Sequence, residues 1–421
     1  MRVVIFDKND IDNSGATQTL KLIIRLLVSN GHSISVVVED KPTKPNYDGQ
    51  SLIWKHYADK AMNNADLVIT QHFPCGLLAR QLNRYANRPM IYICNFTEQF
   101  EYLGKEKMKY DELLVCMSNA MKDKFSNFEK LKSYNFMTLY PQVSVSKYSR
   151  RGPWSIGDER KKYITFINSN FIKGANLFYE IAKKMPEREF LVVKAYYLNN
   201  ISINLPNIKF VEYNGNVSDI YDQTYLLLCP SLVESWSRVS NEAMCNGIPV
   251  LYSKPYITNK LMTTEGMDEC VGTGGIALEH NKVDEWIETI NSMDEDETYE
   301  SYSKKAYERS VEIESQYQGV EFVRTCEMMV QRNPNNTKSK EKLVNAASKI
   351  VMAPPSNLIR TGPIRQVQRV VQQPQQPQQQ PPTVTQEQGQ PQPQQPQPQQ
   401  LINPRANLVR GFVRRGNILS R

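Results

Sequence analysis

The chain is expected to fold as two consecutive α/β domains, each built on a largely parallel sheet, followed by a tail without a packed core. Three observations predict this. Short apolar runs alternate with helical patterns from residue 2 to about 330; the alternation lapses once, near residues 144–158, and then restarts; and from Val370 onward the sequence collapses into Gln and Pro. Near-continuous apolar strands separated by crossover helices imply sheets covered on both faces.

In the first domain Arg2–Phe6 reads as a strand, and Ala16–Ser29 as a helix with Leu20, Ile23, Ile24 and Leu27 at helical spacing and Gly31 closing it. Further strands are expected at Ser35–Glu39, Leu67–Thr70, Met90–Cys94, Leu113–Cys116 and Phe136–Leu139. The charged, Gly- and Pro-containing stretch Ser144–Asp158 reads as a linker. The second domain restarts the pattern with strands at Lys162–Asn168, Phe190–Lys194, Ile208–Glu212, Tyr225–Cys229 and Pro249–Tyr252, and helices at Ala175–Lys184 and Val239–Asn246. A helical, charged segment runs from Glu297 to about Val330. The domains are therefore drawn at 1–145 and 146–332, with the tail at 333–421.

Charge divides at the same place. Residues 333–421 carry a net +10, which leaves −3 of the chain's +7 on residues 1–332. The basic balance thus belongs to the tail and is no argument that the body binds nucleic acid. The Gln/Pro runs offer too little apolar area to offset the entropy of ordering, so disorder is expected there. After them, residues 401–421 regain Leu408, Val409, Phe412 and Val413 among several Arg, which fits docking to an acidic protein or an anionic membrane surface. No apolar run approaches the ~18 residues of a membrane span, and no secretory leader is read at the start. The seven cysteines form no CxxC pair and read as buried reduced thiols of a cytoplasmic protein, peripheral to a membrane if the tail docks there.

The chemistry concentrates in Cys229–Val250, CPSLVESWSRVSNEAMCNGIPV. A strand ends at Cys229, Pro230-Ser231 turns the chain, Glu234 falls in a loop, and a helix opening near Ser237 carries Glu242. Two carboxylates and a helix start thereby lie at the carboxyl end of a parallel strand, where open α/β sheets bind ligands. An anion site with two acceptors for vicinal diols suits a nucleotide sugar. By chemistry alone an ordinary βα unit with a surface Glu and a capping Glu fits as well.

Pro230-Ser231, Glu234, Glu242-Ala243-Met244 and Gly247-Ile248-Pro249-Val250 resemble the E-x7-E signature of the retaining GT-B glycosyltransferases of family four, relatives of glycogen and sucrose synthases. The resemblance implies a GT-B fold, two Rossmann-like domains with a cleft between them. It implies transfer of a hexosyl-type sugar from a nucleotide diphosphate to an acceptor hydroxyl with retention, without metal or other cofactor. It also implies roles: Glu234 on sugar hydroxyls near the reacting carbon, as the catalytic residue, and Glu242 on the ribose. Phe166–Gly174 resembles the donor-phosphate loop G-R-x4-K-G, so Lys173 should contact the diphosphate, while Asn168 replaces the family's Arg. Arg238, where the family has Leu after Gly, is a candidate to supply the missing charge. Gly15 resembles the glycine turn near the donor phosphates, and Gly215 with Asn216 stands where relatives bind the base. On the acceptor side His72 is a candidate, and Asn95 occupies the place of a family His. The Asp-x-Asp at 294–296 lies in a charged stretch and reads as a solvated helix start. The acceptor class stays open among glycan, lipid, protein and nucleic acid. Two alternatives remain: a nucleotide-sugar epimerase, against which the E-x7-E pattern speaks, and a degenerate scaffold whose tail is the working part, which the loss of Arg at 168 favours.

Overall fold

Eight strands in the first 138 residues make one sheet and six strands between 163 and 278 make another. The structure is a computed structural model, and it describes residues 1–333 except 9–13, 45, 72, 96–110, 151, 159–161, 195–199, 213–215 and 256–263. The tail expected at 333–421, apart from Asn333, and the candidates His72 and Gly215 lie outside the described residues.

The first sheet contains β1 (Arg2–Asp7), β2 (Ser33–Val38), β3 (Asn46–Tyr47), β4 (Gln50–Trp54), β5 (Leu67–Thr70), β6 (Met90–Cys94), β7 (Glu112–Cys116) and β8 (Asn135–Thr138), in the order β3-β4-β2-β1-β5-β6-β7-β8. Only the β3/β4 hairpin is antiparallel. The second sheet contains β9 (Tyr163–Ile167), β10 (Phe190–Val193), β11 (Ile208–Val211), β12 (Thr224–Cys229), β13 (Val250–Ser253) and β14 (Gly275–Leu278), all parallel, in the order β11-β10-β9-β12-β13-β14. Every expected strand is present with ends within two residues, while β3, β4 and β14 were not anticipated. β5, β6, β10 and β13 are buried along their whole length, as the unbroken apolar runs require of sheets covered on both faces.

The helices follow local signals. Helix α1 (Gly15–Ser29) starts at Ser14, whose side chain accepts from the Thr17 N–H, and buries Leu20, Ile23, Ile24 and Leu27. α2 (Ala58–Asn64) and α3 (Phe73–Ala86) flank β5, and α4 (Asn119–Ser126) follows β7. The expected linker holds one helical turn, α5 (Val145–Tyr148). In the second half α6 (Ala175–Lys184), α7 (Ser218–Tyr221), α8 (Arg238–Met244), α9 (Glu265–Val271) and α10 (Val283–Ser292) alternate with the strands. The helical segment expected from Glu297 is broken at Gln316–Gln318 into α11 (Asp296–Ser315) and α12 (Gly319–Arg332).

α12 crosses back to the first half. Its Phe322, Cys326 and Met329 share a core with Leu20 and Ile24 of α1, Glu327 pairs with His32 at 3.3 Å, and Asn333 donates to the Asn87 carbonyl at 3.0 Å. The chain thus joins its halves twice, through the linker and through this helix. All seven cysteines are buried and free. No helix among the described residues is long and apolar enough to cross a membrane.

Candidate donor site and its acceptor-side network

The loop after β9 is shaped by its own side chains. Asn168 sits at φ 71°, in the left-handed region that Asn tolerates better than most residues, and its Oδ1 accepts from Asn170 Nδ2 at 2.6 Å. Asn170 Oδ1 in turn accepts the Lys173 N–H at 3.0 Å. The turn ends at Gly174, φ 83°, where a Cβ would stand 1.8 Å from the Pro230 carbonyl oxygen. Only glycine lets this loop lie against the loop after β12, and Leu232 N–H seals the contact by donating to Ile172 O at 2.8 Å.

That contact brings together two residues 61 positions apart. Lys173 Nζ lies 2.5 Å from Glu234 Oε1, and Ser231 Oγ donates to the same oxygen at 3.1 Å. Glu234 is only 8% exposed, so the pair is shielded and the charge-assisted contact stronger than a surface one. Among the described residues Glu234 Oε2 has no hydrogen-bond partner, which leaves one carboxylate oxygen open to a ligand hydroxyl.

Helix α8 begins at Ser237, whose Oγ accepts the Ser240 N–H at 3.3 Å. One turn on, Glu242 is buried between Arg238 Nε, 3.0 Å from Oε1, and the Tyr221 hydroxyl, 3.0 Å from Oε2. Burial pushes the Glu242 carboxyl above its ordinary range, and the Arg238 charge and the Tyr221 hydrogen bond oppose this. Arg238 is mostly buried, with 13% of its side chain exposed. Its Nη1 donates to Gln142 O and its Nη2 to Tyr148 Oη, both at 2.9 Å, so each guanidinium nitrogen has a protein acceptor. Arg238, where a phosphate contact was expected, pairs in this structure with the Glu242 carboxylate.

The first half contributes a network of which the sequence reading named only Asn95. Asp7, closing β1, is 1% exposed and accepts from Tyr47 Oη at 2.8 Å and Gln71 Nε2 at 2.9 Å. Gln71 Oε1 accepts from Asn95 Nδ2 at 3.3 Å, and Ser235 Oγ, beside Glu234, donates to Asn95 O at 2.7 Å. A hydrogen-bonded path thus runs from β1 across the ends of β5 and β6 to the loop of the second half. Beside Asp7 lies a cavity of about 220 Å³, lined by Phe6, Val37, Val38, Glu39, Lys55, Cys75 and Leu78. Burial, and after it the charges of Asp7 and Glu39, push the Cys75 thiol up to about 12. The signal for Asp7 was available: a carboxylate at the carboxyl end of an apolar strand.

The other candidates are more scattered. Gly15 opens α1, exposed, with open space where a Cβ would stand. Asn216 lies just before the short α7, its Oδ1 accepting Ser218 N–H at 3.2 Å and its Nδ2 donating to Asp219 at 2.8 Å. Asp294 pairs with Arg188, and Asp296 begins α11. Two contacts lock the halves near the site: Trp236 stacks on Tyr140 at 4.5 Å, and Glu269 of α9 accepts the Asn119 and Ala120 N–H groups of α4 at 2.9 and 2.7 Å.

Residues 157–309 match the family model described as Glycosyl transferases group 1. No curated protein matches the chain by sequence. Among solved structures, the Anabaena protein HepE in complex with UDP is similar at 15% identity and a TM-score of 0.58, covering 82% of this chain and 100% of that one. A glycosyltransferase from Rickettsia africae aligns at 13% identity and TM-score 0.59, over 79% and 99%. The sucrose-phosphate synthase of Thermosynechococcus elongatus aligns at 11% and 0.56, over 82% and 100%. Two parallel-sheet α/β domains matching these proteins make this a GT-B fold, and the group 1 match falls on the half that holds Lys173, Glu234 and Glu242.

Proposed function

We propose that the chain is a glycosyltransferase that moves a hexosyl-type sugar from a nucleoside diphosphate to an acceptor hydroxyl, with retention and without a metal. The observation that carries this reading is the meeting of Lys173, Ser231 and Glu234 where the loops after β9 and β12 touch. In this reading residues 146–332 bind the donor and residues 1–145 the acceptor. Lys173 exchanges its contact with Glu234 for the diphosphate and stabilises the charge that develops as the phosphate leaves. The open oxygen of Glu234 accepts from sugar hydroxyls beside the reacting carbon, and Glu242 accepts from the ribose. Gly15 leaves room for the diphosphate at the start of α1. No carboxylate is assigned as a covalent nucleophile; the departing phosphate takes the acceptor proton, and the new bond forms on the face the phosphate leaves. Support comes from the group 1 match over 157–309 and from similar folds solved with UDP, with UDP and glucose, and with UDP and GlcNAc.

The cavity beside Asp7 is the seat we assign to the acceptor. Its described lining sets Asp7 and Glu39 against Lys55, which itself pairs with Glu39, so it favours neutral or cationic acceptor groups over anionic ones. Asp10-Ile11-Asp12, a second Asp-x-Asp, follows β1 and lies outside the described residues. The test is a panel of UDP-, ADP- and GDP-linked sugars, read by nucleoside diphosphate release with and without EDTA, and by the anomeric NMR signal of the first product formed. Release that survives EDTA with a product of the donor's configuration is the expected result. Inversion or metal-dependence would refute those parts. Nucleotide binding with no turnover of any donor would instead favour the scaffold reading.

A further inference from the structure

Glu242 is a buried carboxylate with a cation that few surroundings would require. Arg238 reaches it through Nε at 3.0 Å while its two other nitrogens hold Gln142 O and Tyr148 Oη, both in the segment that connects the two sheets. On the far side Tyr221 of α7 donates to the second carboxylate oxygen at 3.0 Å. Each oxygen therefore keeps a free lone-pair direction, and both can still accept from the two hydroxyls of a ribose.

We infer, resting on the donor-site reading above, that Arg238 is a positioning residue: with Tyr221 it fixes the Glu242 carboxylate as the acceptor for the nucleotide's vicinal diol, and it ties that carboxylate to the linker. Arg238 itself does not touch the nucleotide. The charged and titratable groups that face Glu242 are Arg238, Tyr221, Tyr148 and Lys147, with Cys245 on the same helix. Burial already raises the Glu242 carboxyl, and Arg238 is the largest opposing influence. With the cation removed, Glu242 takes up a proton at a higher pH, and a protonated acid accepts the diol poorly.

The experiment titrates UDP, ADP and GDP into the full chain by calorimetry, then repeats the tightest one against its 2′-deoxy analogue between pH 6 and 8. The parent is expected to prefer the ribonucleotide with little change across that range. Arg238→Met, close in length but uncharged, should lose about tenfold or more of that preference at pH 6 and recover part of it by pH 8. Arg238→Lys should fall between the two. Should Arg238→Met not fold, Tyr221→Phe together with Arg238→Lys carries the test, since each removes one hydrogen bond from the same carboxylate and should narrow the ribo/deoxy preference. A folded Arg238→Met with the parent's preference and pH profile overturns the inference alone. A parent that binds none of the three nucleotides overturns the donor-site reading and this inference with it.

Discussion

The two halves of the molecule build their chemistry in different ways. In the second half, Glu234, Arg238 and Glu242 lie within nine consecutive residues, and the partner loop at 168–174 is fixed by its own asparagines and by one glycine. In the first half, Asp7, Tyr47, Gln71 and Asn95 come from the ends of four separate strands or turns, and they meet only because the sheet order places β1 beside β5 and β5 beside β6. The difference shows that a site carried by one βα unit travels as a motif, whereas a site assembled from strand ends exists only in the folded sheet.

The comparison breaks most severely at Gly174. An alanine there must place its Cβ 1.8 Å from the Pro230 oxygen at φ 83°, so the two loops must part. Gly174→Ala is expected to lower the melting temperature, with backbone strain alone costing about 1–3 kcal/mol, and to reduce nucleotide affinity beyond measurement. Thermal unfolding and calorimetry check this, and unchanged binding would mean that the loop contact does not form the donor site. Lys173→Ala should be milder, removing one charge-assisted contact worth about 1.5–3 kcal/mol and weakening nucleoside diphosphate binding by roughly 10- to 100-fold.

Substitution in the first half sharpens the contrast. Asp7→Asn should leave nucleotide affinity unchanged while reducing the rate at fixed acceptor concentration by about tenfold, through the acceptor KM, since it loosens the network and lowers the negative field of the cavity. A loss of nucleotide affinity in this variant would dissolve the division between halves. The smallest catalytic effect is expected from truncation after Asn333, which keeps α12 and its contact with Asn87. Transfer to a small neutral acceptor should be unaltered, and salt-sensitive binding to anionic vesicles should be lost.

How much the sequence revealed follows the same division. Eleven strands were readable because parallel sheets covered on both faces demand apolar runs, although β8 and β11, at the sheet edges, are only partly buried. β3 was not, being two residues at the sheet edge, nor was β4, a partly exposed five-residue run beside it, and α2 was not, because Ala58–Asn64 buries only Ala58 and Met62 and shows no apolar stripe. β14 is half-exposed and glycine-led, so it lacked the signal as well. Within the site, Lys173, Glu234 and Glu242 were legible as a local pattern. The direction of Arg238 was not, since it depends on Gln142 and Tyr148 about ninety residues away. Neither was the interdomain cap by Glu269, whose partners lie about 150 positions earlier in the chain.

The central claim is that Glu234 works on the sugar while Lys173 and the loop contact hold the nucleotide. The measurement that tests it most directly is the turnover of the best nucleotide sugar by Glu234→Gln, set beside that variant's affinity for the corresponding nucleoside diphosphate. Glutamine keeps the size of the side chain and a hydrogen bond from Ser231, so the fold and nucleotide affinity should survive to within a few-fold. Turnover should fall by roughly a thousandfold or more, as for loss of one preorganised electrostatic contact at a reacting centre. Equal turnover by Glu234→Gln and the parent would contradict the account.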